Sequence, residues 1–337
     1  MTVEEISLCT GIPAMYIEDE LSRLEYGDAV QKMGNKYGTD FIIFRHKDRA
    51  KVEQVLEPMV QGVADYYEKV LWDRAAQVSS IGFYGSDFGM ERLGHILVPY
   101  FIRQKIRNIK ENRLNLPDGE YPPRKDGGHG WFIVTENEDK GETSLGHEAG
   151  CNIAGDDSGS RFQDGSLFLY YYWVQPYFDS GVYHDGGMRW LAKNGVPGKC
   201  RDGVVPEGVL VQDDVVRLLE KNLIRKDGEH YKLNFPCFTT QQFHEFCALF
   251  EGTDSRLDDL LADWILGARR SFEGFVPKRL HDQINQWLSV YCYELVCYVV
   301  EELIRRGRLE GAGGGEAGID RPMTNGVFCI QGSFVWP

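Results

Sequence analysis

Hydrophobic positions in the first 45 residues follow a helical period and then an alternating one. Residues 3–9 predict a short helix, Gly11 suits a tight turn, and the apolar positions of residues 16–24 predict a second helix. Residues 29–44 alternate as a two-stranded hairpin. Helix, turn, helix and hairpin in this order predict a winged helix-turn-helix in residues 1–45.

The same pattern occurs again 194 positions later. Residues 17–44 align without a gap on residues 211–238, and eight of the 28 positions are identical. The identical pairs are Asp19/Asp213, Arg23/Arg217, Leu24/Leu218, Lys32/Lys226, Gly34/Gly228, Tyr37/Tyr231, Phe41/Phe235 and Phe44/Phe238. Because the apolar positions stay in phase, the alignment predicts a duplicated fold. The alternative is a chance similarity between two helix-plus-hairpin segments.

The remaining patterns predict a mixture of helices and strands. Helical spacing predicts helices in residues 48–76, 90–113, 239–250, 257–272 and 277–306, and shorter apolar runs predict strands in residues 131–135, 167–174 and 327–331. We therefore predict an α+β fold in which two winged helix-turn-helix units flank a central mixed α/β region, with a long C-terminal helix. The predicted domains are residues 1–45, 46–200 and 201–337.

Composition limits the cellular setting and the classes of partner. No apolar run approaches the roughly 18 residues of a membrane helix, and the N-terminus is acidic where a secretory signal would be basic. The eight cysteines are scattered and form no C-x-x-C pair, which favours reduced thiols. We expect a soluble cytoplasmic protein with no membrane partner. The formal net charge of −14 means that any DNA affinity must come from a local basic patch.

The predicted second helix has few of the side chains that read bases. Its outward positions offer Glu18, Asp19, Ser22 and Glu25, with only Arg23 positive, and residues 1–45 hold four Lys/Arg against eight Asp/Glu. A recognition helix normally presents Arg, Lys, Asn or Gln to base edges. A structural or protein-binding winged helix is therefore favoured over direct base reading.

Two other groups of basic residues are candidates for contact with phosphate. Arg103, Arg107 and Lys110 fall on one side of a predicted helix whose buried stripe is Ile102, Ile106 and Ile109. The second hairpin offers Arg225, Lys226 and Lys232. With Arg23, these are our candidate nucleic-acid contacts. The alternative is that they are ordinary solvated charges.

Residues 162–190 contain ten aromatic side chains, a strong local enrichment. Tyrosine and tryptophan line small-molecule pockets as well as cores. The predicted strand 167–174 is apolar on both faces, so both faces need to be covered. Our candidates for an effector pocket are Trp131, Tyr170, Tyr171, Tyr172 and Trp173, and the alternative is core packing alone.

Catalytic signatures are missing from the sequence. There is no P-loop, G-x-G-x-x-G or G-x-S-x-G motif, and the histidines and cysteines do not have the spacing of a zinc site. We predict no catalytic residues, no metal and no cofactor, and we expect that the protein is not an enzyme.

One region resembles a known family. The segments Val-Glu-Glu-Ile-Ser at residue 3, Gly-Ile-Pro at residue 11, Tyr-Ile-Glu-Asp-Glu-Leu at residue 16 and Lys-Tyr-Gly-Thr-Asp-Phe at residue 36 resemble a winged-helix segment. That segment belongs to C-terminal regulatory extensions of clostridial sigma-70-family (ECF-like) RNA polymerase sigma factors. The resemblance covers about 45 residues, and the sigma regions that bind promoter and polymerase have no counterpart.

The resemblance implies an accessory role in transcription regulation. RNA polymerase, another transcription protein and DNA are the partners that it implies. The alternative function is small-molecule sensing, with an effector held by the aromatic residues of 131–190.

Overall fold

The computed structural model describes residues 1–116, 125, 127, 134–135, 149–154, 167–174, 190–191, 194–250, 255–310 and 328–331. The fold is α+β and mostly helical, with small sheets. The α-helices are α1 (Val3–Thr10), α2 (Ala14–Tyr26), α3 (His46–Asp73), α4 (Ala75–Ser80), α5 (Met90–Asn108), α6 (Val196–Lys199), α7 (Gln212–Glu220), α8 (Thr240–Ala248), α9 (Ser255–Phe275) and α10 (Ile284–Arg305). A π-helical turn, Ile109–Arg113, follows α5, and a 3-10 helix, Lys278–Gln283, precedes α10.

The strands are short and belong to several sheets. They are β1 (Val30–Met33), β2 (Lys36–Thr39), β3 (Ile43–Phe44), β4 (Val134–Thr135), β5 (Ala149–Ala154), β6 (Leu167–Val174), β7 (Ile224–Asp227), β8 (His230–Leu233), β9 (Cys237–Thr239) and β10 (Phe328–Gln331). The described strands form two antiparallel hairpins, β1–β2 and β7–β8, a four-stranded sheet of order β5-β6-β10-β9, and a parallel pair, β3–β4.

The predicted repeat has the same local structure in both places. The two hairpins pair in equivalent registers, with Lys32 opposite Tyr37 in one and Lys226 opposite Tyr231 in the other. The backbone hydrogen bonds that join helix to hairpin also correspond. They are Ala29 N to Leu24 O and Leu223 N to Leu218 O, and Asp40 N to Ala29 O and Asn234 N to Leu223 O. The two segments therefore share a backbone fold as well as a sequence pattern.

Turn positions with positive φ explain part of this agreement. Gly34 and Gly228 sit in the two-residue turns of the hairpins with φ of 64° and 61°. Glycine adopts this left-handed backbone without the steric cost that a Cβ imposes. Asp28 and Asn222, which join helix to strand, both have φ of 55°, and these residue types tolerate that conformation better than most.

The correspondence continues beyond the segments that align by sequence. α3 begins at His46 and α8 at Thr240, and α5 begins at Met90 and α10 at Ile284, each pair again 194 residues apart. Buried positions match at the same spacing, as in Val63/Leu257, Tyr67/Leu261, Leu71/Ile265, Val78/Phe272, Leu93/Trp287, Ile102/Val296, Ile106/Val300 and Ile109/Leu303. We call residues 17–109 the first repeat and residues 211–303 the second repeat.

The chain forms two compact units, each built from separated segments. One comprises Met1–Glu57, Arg107–Gly146 and Leu261–Tyr291, and the other comprises Pro58–Ile106, His147–Leu260 and Cys292–Pro337. The first unit thus combines the helix–hairpin segment of the first repeat with helices of the second repeat. The second unit makes the reciprocal combination.

Equivalent phenylalanines lie at the centre of both units. In the first unit, the Phe44 ring lies 5.7 Å from Trp287 and 5.8 Å from Phe272, measured between ring centroids. In the second unit, the Phe238 ring lies 4.1 Å from Phe83 and 5.1 Å from Phe246. Each phenylalanine also lies in a short strand that pairs in parallel, β3 with β4 and β9 with β10.

Candidate functional site

The corner between α1 and α2 exposes large apolar side chains. Every residue from 8 to 16 is exposed, and α1 has no buried residue. The exposed fractions reach 87% for Leu8, 67% for Met15 and 59% for Tyr16. Tyr16 and Leu24 lie on the same side of α2 because they are about two helical turns apart. We call Leu8, Ile12, Tyr16 and Leu24 the open face, and Met15 lies on the side of α2 opposite Leu24.

Local interactions hold the corner in place without burying it. Thr2 and Glu5 form a capping box at the start of α1, and α1 ends at Gly11, whose φ is 71°. Ser7 Oγ donates to the carbonyl of Ile12 at 2.6 Å across the turn. An eight-residue helix is marginal in water on its own. In the folded chain, none of its side chains is fully buried.

Acidic side chains flank the open face. The segment 7–17 carries no charge, but Glu4 and Glu5 precede it and Glu18, Asp19 and Glu20 follow it, all exposed. The one cation on α2, Arg23, forms a salt bridge of 2.9 Å with Glu20. This helix therefore presents an apolar surface with a negative border, which is unfavourable for approach to a DNA phosphate backbone.

The equivalent surface of the second repeat is covered. Leu218 is fully buried, whereas its equivalent Leu24 is 44% exposed. Leu218 packs in one hydrophobic cluster with Leu191 and Val196, and Trp190 packs against that cluster.

The equivalent arginines show the same difference. Each forms a salt bridge with the acid three residues earlier, Arg23 with Glu20 and Arg217 with Asp214. The Arg217 guanidinium lies 5.5 Å from the Trp190 ring centroid, and the Arg217 side chain is 36% exposed against 76% for Arg23. In the second repeat, Trp190 lies over this arginine, whereas the arginine of the first repeat is left mostly exposed.

The predicted basic stripe, which runs from the last turns of α5 into the π-helical turn, is only partly exposed. The buried stripe of Ile102, Ile106 and Ile109 is confirmed. Arg103 is half-buried, and Arg107 is exposed and pairs with Glu111 at 3.1 Å.

The expectation that Lys110 stands beside them as a nucleic-acid contact is wrong, because its side chain is 2% exposed and Nζ donates to the carbonyl of Asn285 at 3.1 Å. Lys110 lies in the π-helical turn. Helical spacing also places Lys110 beside Ile106, four residues earlier, so its stem borders the buried stripe.

The basic residues of the second hairpin are mostly engaged within the protein. Lys232 pairs with Asp227 at 2.6 Å and lowers the pKa of that carboxyl. The Arg225 guanidinium lies 5.7 Å from the Phe88 ring centroid. Lys226 is exposed. These positions remain predicted phosphate contacts, on a hairpin whose residues 224–233 hold three Lys/Arg against two Asp/Glu.

The predicted aromatic pocket lies largely outside the described residues. The strand 167–174 is confirmed as β6, which pairs antiparallel with β5 on one side and with β10 on the other. Trp131 and the side chains of Tyr170, Tyr171, Tyr172 and Trp173 are not among the parts of the chain that the structure describes. The effector pocket accordingly stays a prediction.

A small cavity lies within the second unit. Its volume is about 130 Å³, and Tyr84, Cys200, Asp202, Gln242 and Gln331 are among its lining residues. Burial raises the pKa of the Cys200 thiol to about 12, so this thiol is a poor nucleophile at neutral pH. Pockets for drug-sized ligands are typically about 300–1,000 Å³. The cavity suits water or a very small molecule.

The described residues offer neither a metal site nor a membrane-spanning helix. Within the described ranges, no three His, Cys, Asp or Glu side chains converge as metal ligands. Across those ranges too, no helix has the length and apolarity needed to cross a membrane. Neither a family model, nor a curated protein, nor a solved structure matches this chain.

Proposed function

We propose that this chain is an accessory regulatory protein of transcription that acts by binding another protein through the open face. The observation that carries the proposal is the run of exposed apolar residues at the α1–α2 corner. Groups of exposed large apolar side chains often mark interaction sites on proteins. A helix such as α1, which has no fully buried residue, gains packing when a partner covers it.

Transcription is the proposed setting because of the local architecture and the resemblance. α1, the turn at Gly11, α2 and the β1–β2 hairpin follow the order of a winged helix-turn-helix. The same residues carry the resemblance to sigma-factor regulatory extensions. RNA polymerase or another transcription protein is thus the proposed partner, and the proposed role is regulatory rather than enzymatic.

DNA contact is a secondary part of the proposal. The helix that would enter the major groove carries Glu18, Asp19 and Glu20, which repel phosphates. Among the candidate phosphate contacts outside α2, Arg107, Arg225 and Lys226 are exposed, and they support at most weak, salt-sensitive contact with a DNA backbone. Specific base reading by α2 is therefore not proposed.

Binding to RNA polymerase core enzyme from a clostridial host and to duplex DNA tests the proposal. We expect the full chain to bind the polymerase, and we expect Tyr16→Ser with Leu24→Ser to weaken that binding by about tenfold or more. Val216→Ser with Leu219→Ser, which alters exposed apolar positions of α7, is the matched control and leaves binding unchanged. Tight, salt-insensitive, sequence-specific DNA binding that depends on α2 is the result that would overturn the proposal.

A further inference from the structure

Three cysteines lie in one hydrophobic region of the second unit. Cys329 is fully buried in the cluster that contains Leu218, and Cys200 and Cys237 pack against the same cluster. All three are free thiols. The fold therefore brings together cysteines that are far apart in the sequence.

Two of these cysteines, Cys237 and Cys329, lie directly beside each other on neighbouring strands. They are register partners in the parallel pair β9–β10, and the Cys329 amide donates to the carbonyl of Pro236 at 3.0 Å. Partner residues project from the same face of a sheet, and neighbouring strands lie about 4.8 Å apart. A disulfide spans roughly 4.4–6.8 Å between Cα atoms, so the two strands already have the spacing that such a bond needs.

The first unit builds the same kind of parallel strand pair without sulfur. There the partners are Ile43 and Val134. Ile43 precedes Cys237 by the same 194 residues that separate the two repeats. Because aliphatic side chains are sufficient for this strand pair, packing alone does not require a thiol on both strands of the second unit.

The cavity in the second unit gives a small reagent access to the cysteine pair. Cys200 and Cys237 are among its lining residues, and its volume is about 130 Å³. Hydrogen peroxide is only slightly larger than water and fits such a space, whereas oxidised glutathione, a disulfide of two tripeptides, does not. Burial and the neighbouring Cys329 thiol raise the pKa of the Cys237 thiol, so little thiolate is present at neutral pH and oxidation is slow.

We propose that Cys237 and Cys329 form a peroxide-responsive dithiol that closes to a disulfide between β9 and β10. Hydrogen peroxide oxidises the Cys237 thiol to a sulfenic acid and is itself reduced to one water. The Cys329 sulfur then attacks the sulfenic acid sulfur, and a second water leaves as the S–S bond forms. Two thiols and one hydrogen peroxide thus give one disulfide and two waters.

The disulfide product suits its surroundings. It carries no charge, and an uncharged group is tolerated in an apolar cluster where an unpaired thiolate is not. The bond fixes β10 to β9 covalently. This site does not depend on the open face or on a partner protein, so it stands or falls separately from the proposed function.

Mass spectrometry of the full chain after treatment with dilute hydrogen peroxide tests the proposal. Digestion without reduction should yield the peptides of Cys237 and Cys329 joined, and dithiothreitol should separate them. We expect the joined peptides to form about tenfold faster or more at pH 9 than at pH 7, since the thiolate is the reactive form. Oxidised glutathione at the same concentration should leave the pair reduced.

Three variants separate this pair from the other thiols. Cys237→Ile with Cys329→Val copies the aliphatic partners of the first unit and should abolish the joined peptides. Cys237→Ala, a smaller change, should leave Cys329 reduced under the same treatment. Cys9→Ser alters an exposed thiol outside the cluster and should leave the joined peptides unchanged. Circular dichroism checks that each variant remains folded.

Other results would overturn the proposal. They are a bond between Cys200 and Cys237, a sulfenic acid that persists at Cys237 beside reduced Cys329, and no joined peptides when Cys9 is fully oxidised. Joined peptides that form only after unfolding in urea would also contradict it, because the folded strands would then not be what brings the thiols together.

Discussion

Leu24 and Leu218 occupy the same position in two copies of one helix–hairpin segment, yet Leu24 is 44% exposed and Leu218 is fully buried. Removing a buried leucine costs both transfer energy and a cavity. We expect Leu218→Ala to lower the free energy of unfolding by about 2–5 kcal/mol. We expect Leu24→Ala to lower it by less than about 1 kcal/mol, since surface changes are usually small.

Urea denaturation of the two variants measures both values under the same conditions. The two variants control for each other, because both carry a leucine-to-alanine substitution in the same local fold. Equal losses in the two variants would mean that Leu24 is covered in solution and that the open face does not exist.

Two glycines with the same backbone conformation should respond differently to a side chain. Gly11 and Gly203 both have φ of 71°, but a Cβ at Gly11 would meet nothing within 4 Å, whereas one at Gly203 would collide with the ring of Tyr84. We expect Gly11→Ala to cost about 1–2 kcal/mol from the left-handed backbone alone. Gly203→Ala adds the collision, because Tyr84 is tied by its hydroxyl to the carbonyl of Leu233.

Thermal and urea denaturation compare the two glycine variants directly. Gly203→Ala should be the less stable by several degrees in Tm. A difference in the opposite direction would contradict the packing of Tyr84 against Gly203.

Glu302 should contribute stability that acid removes. Hydrogen bonds from Arg305 and Arg306 lower the pKa of its carboxyl from 4.5 to about 2. Because the pKa is lower in the folded state, the stabilisation is complete above the unfolded value and is lost as pH falls from about 4.5 to 2. We expect Glu302→Gln to cost about 1–3 kcal/mol at pH 7 and almost nothing near pH 2. Urea titrations across this range measure the difference, and a loss that does not vary with pH would contradict the pairing.

His95 should lower the stability of the fold in acid, in a higher pH range than Glu302 does. Its ring is buried and bonded to the carbonyl of Glu310, and burial lowers its pKa from 6.5 to about 4. The unfolded chain therefore takes up a proton first, and stability falls as pH drops from about 6.5 to 4. We expect His95→Gln to be less stable than wild type at pH 7, with a gap that narrows by about 2–3 kcal/mol towards pH 4. A gap of constant size would show that His95 titrates normally.

Turns, hairpins and single strands could be predicted from the sequence because neighbouring residues determine them. Hairpin registers, the positive φ at Gly11 and the bounds of strand 167–174 follow from turn residues and from apolar runs of strand length. From the sequence, the repeat could be recognised only where identical residues remain, between residues 17–44 and residues 211–238. In the helices, the repeat is seen in which positions are buried. The residue types at those positions differ, as in Val78 and Phe272 or Leu93 and Trp287, so a sequence comparison detects little similarity there.

Two features could not be predicted because they depend on distant parts of the chain. The reciprocal composition of the two units follows from contacts such as Phe44 with Trp287, which are far apart in sequence. The contrast between Leu24 and Leu218 depends on residues 190–205, which precede the second repeat. The acidic character of α2 was visible in the sequence, but its exposed apolar corner required the structure.

Hydrogen–deuterium exchange of the full chain, with and without RNA polymerase core enzyme, tests the central claim most directly. The account predicts that polymerase slows exchange at the amides of α1 and α2, while the amides of α7, which residues 190–205 already cover, change little. Protection that appears only in the β7–β8 hairpin or around Arg103 and Arg107, with α1 and α2 unchanged, would contradict it.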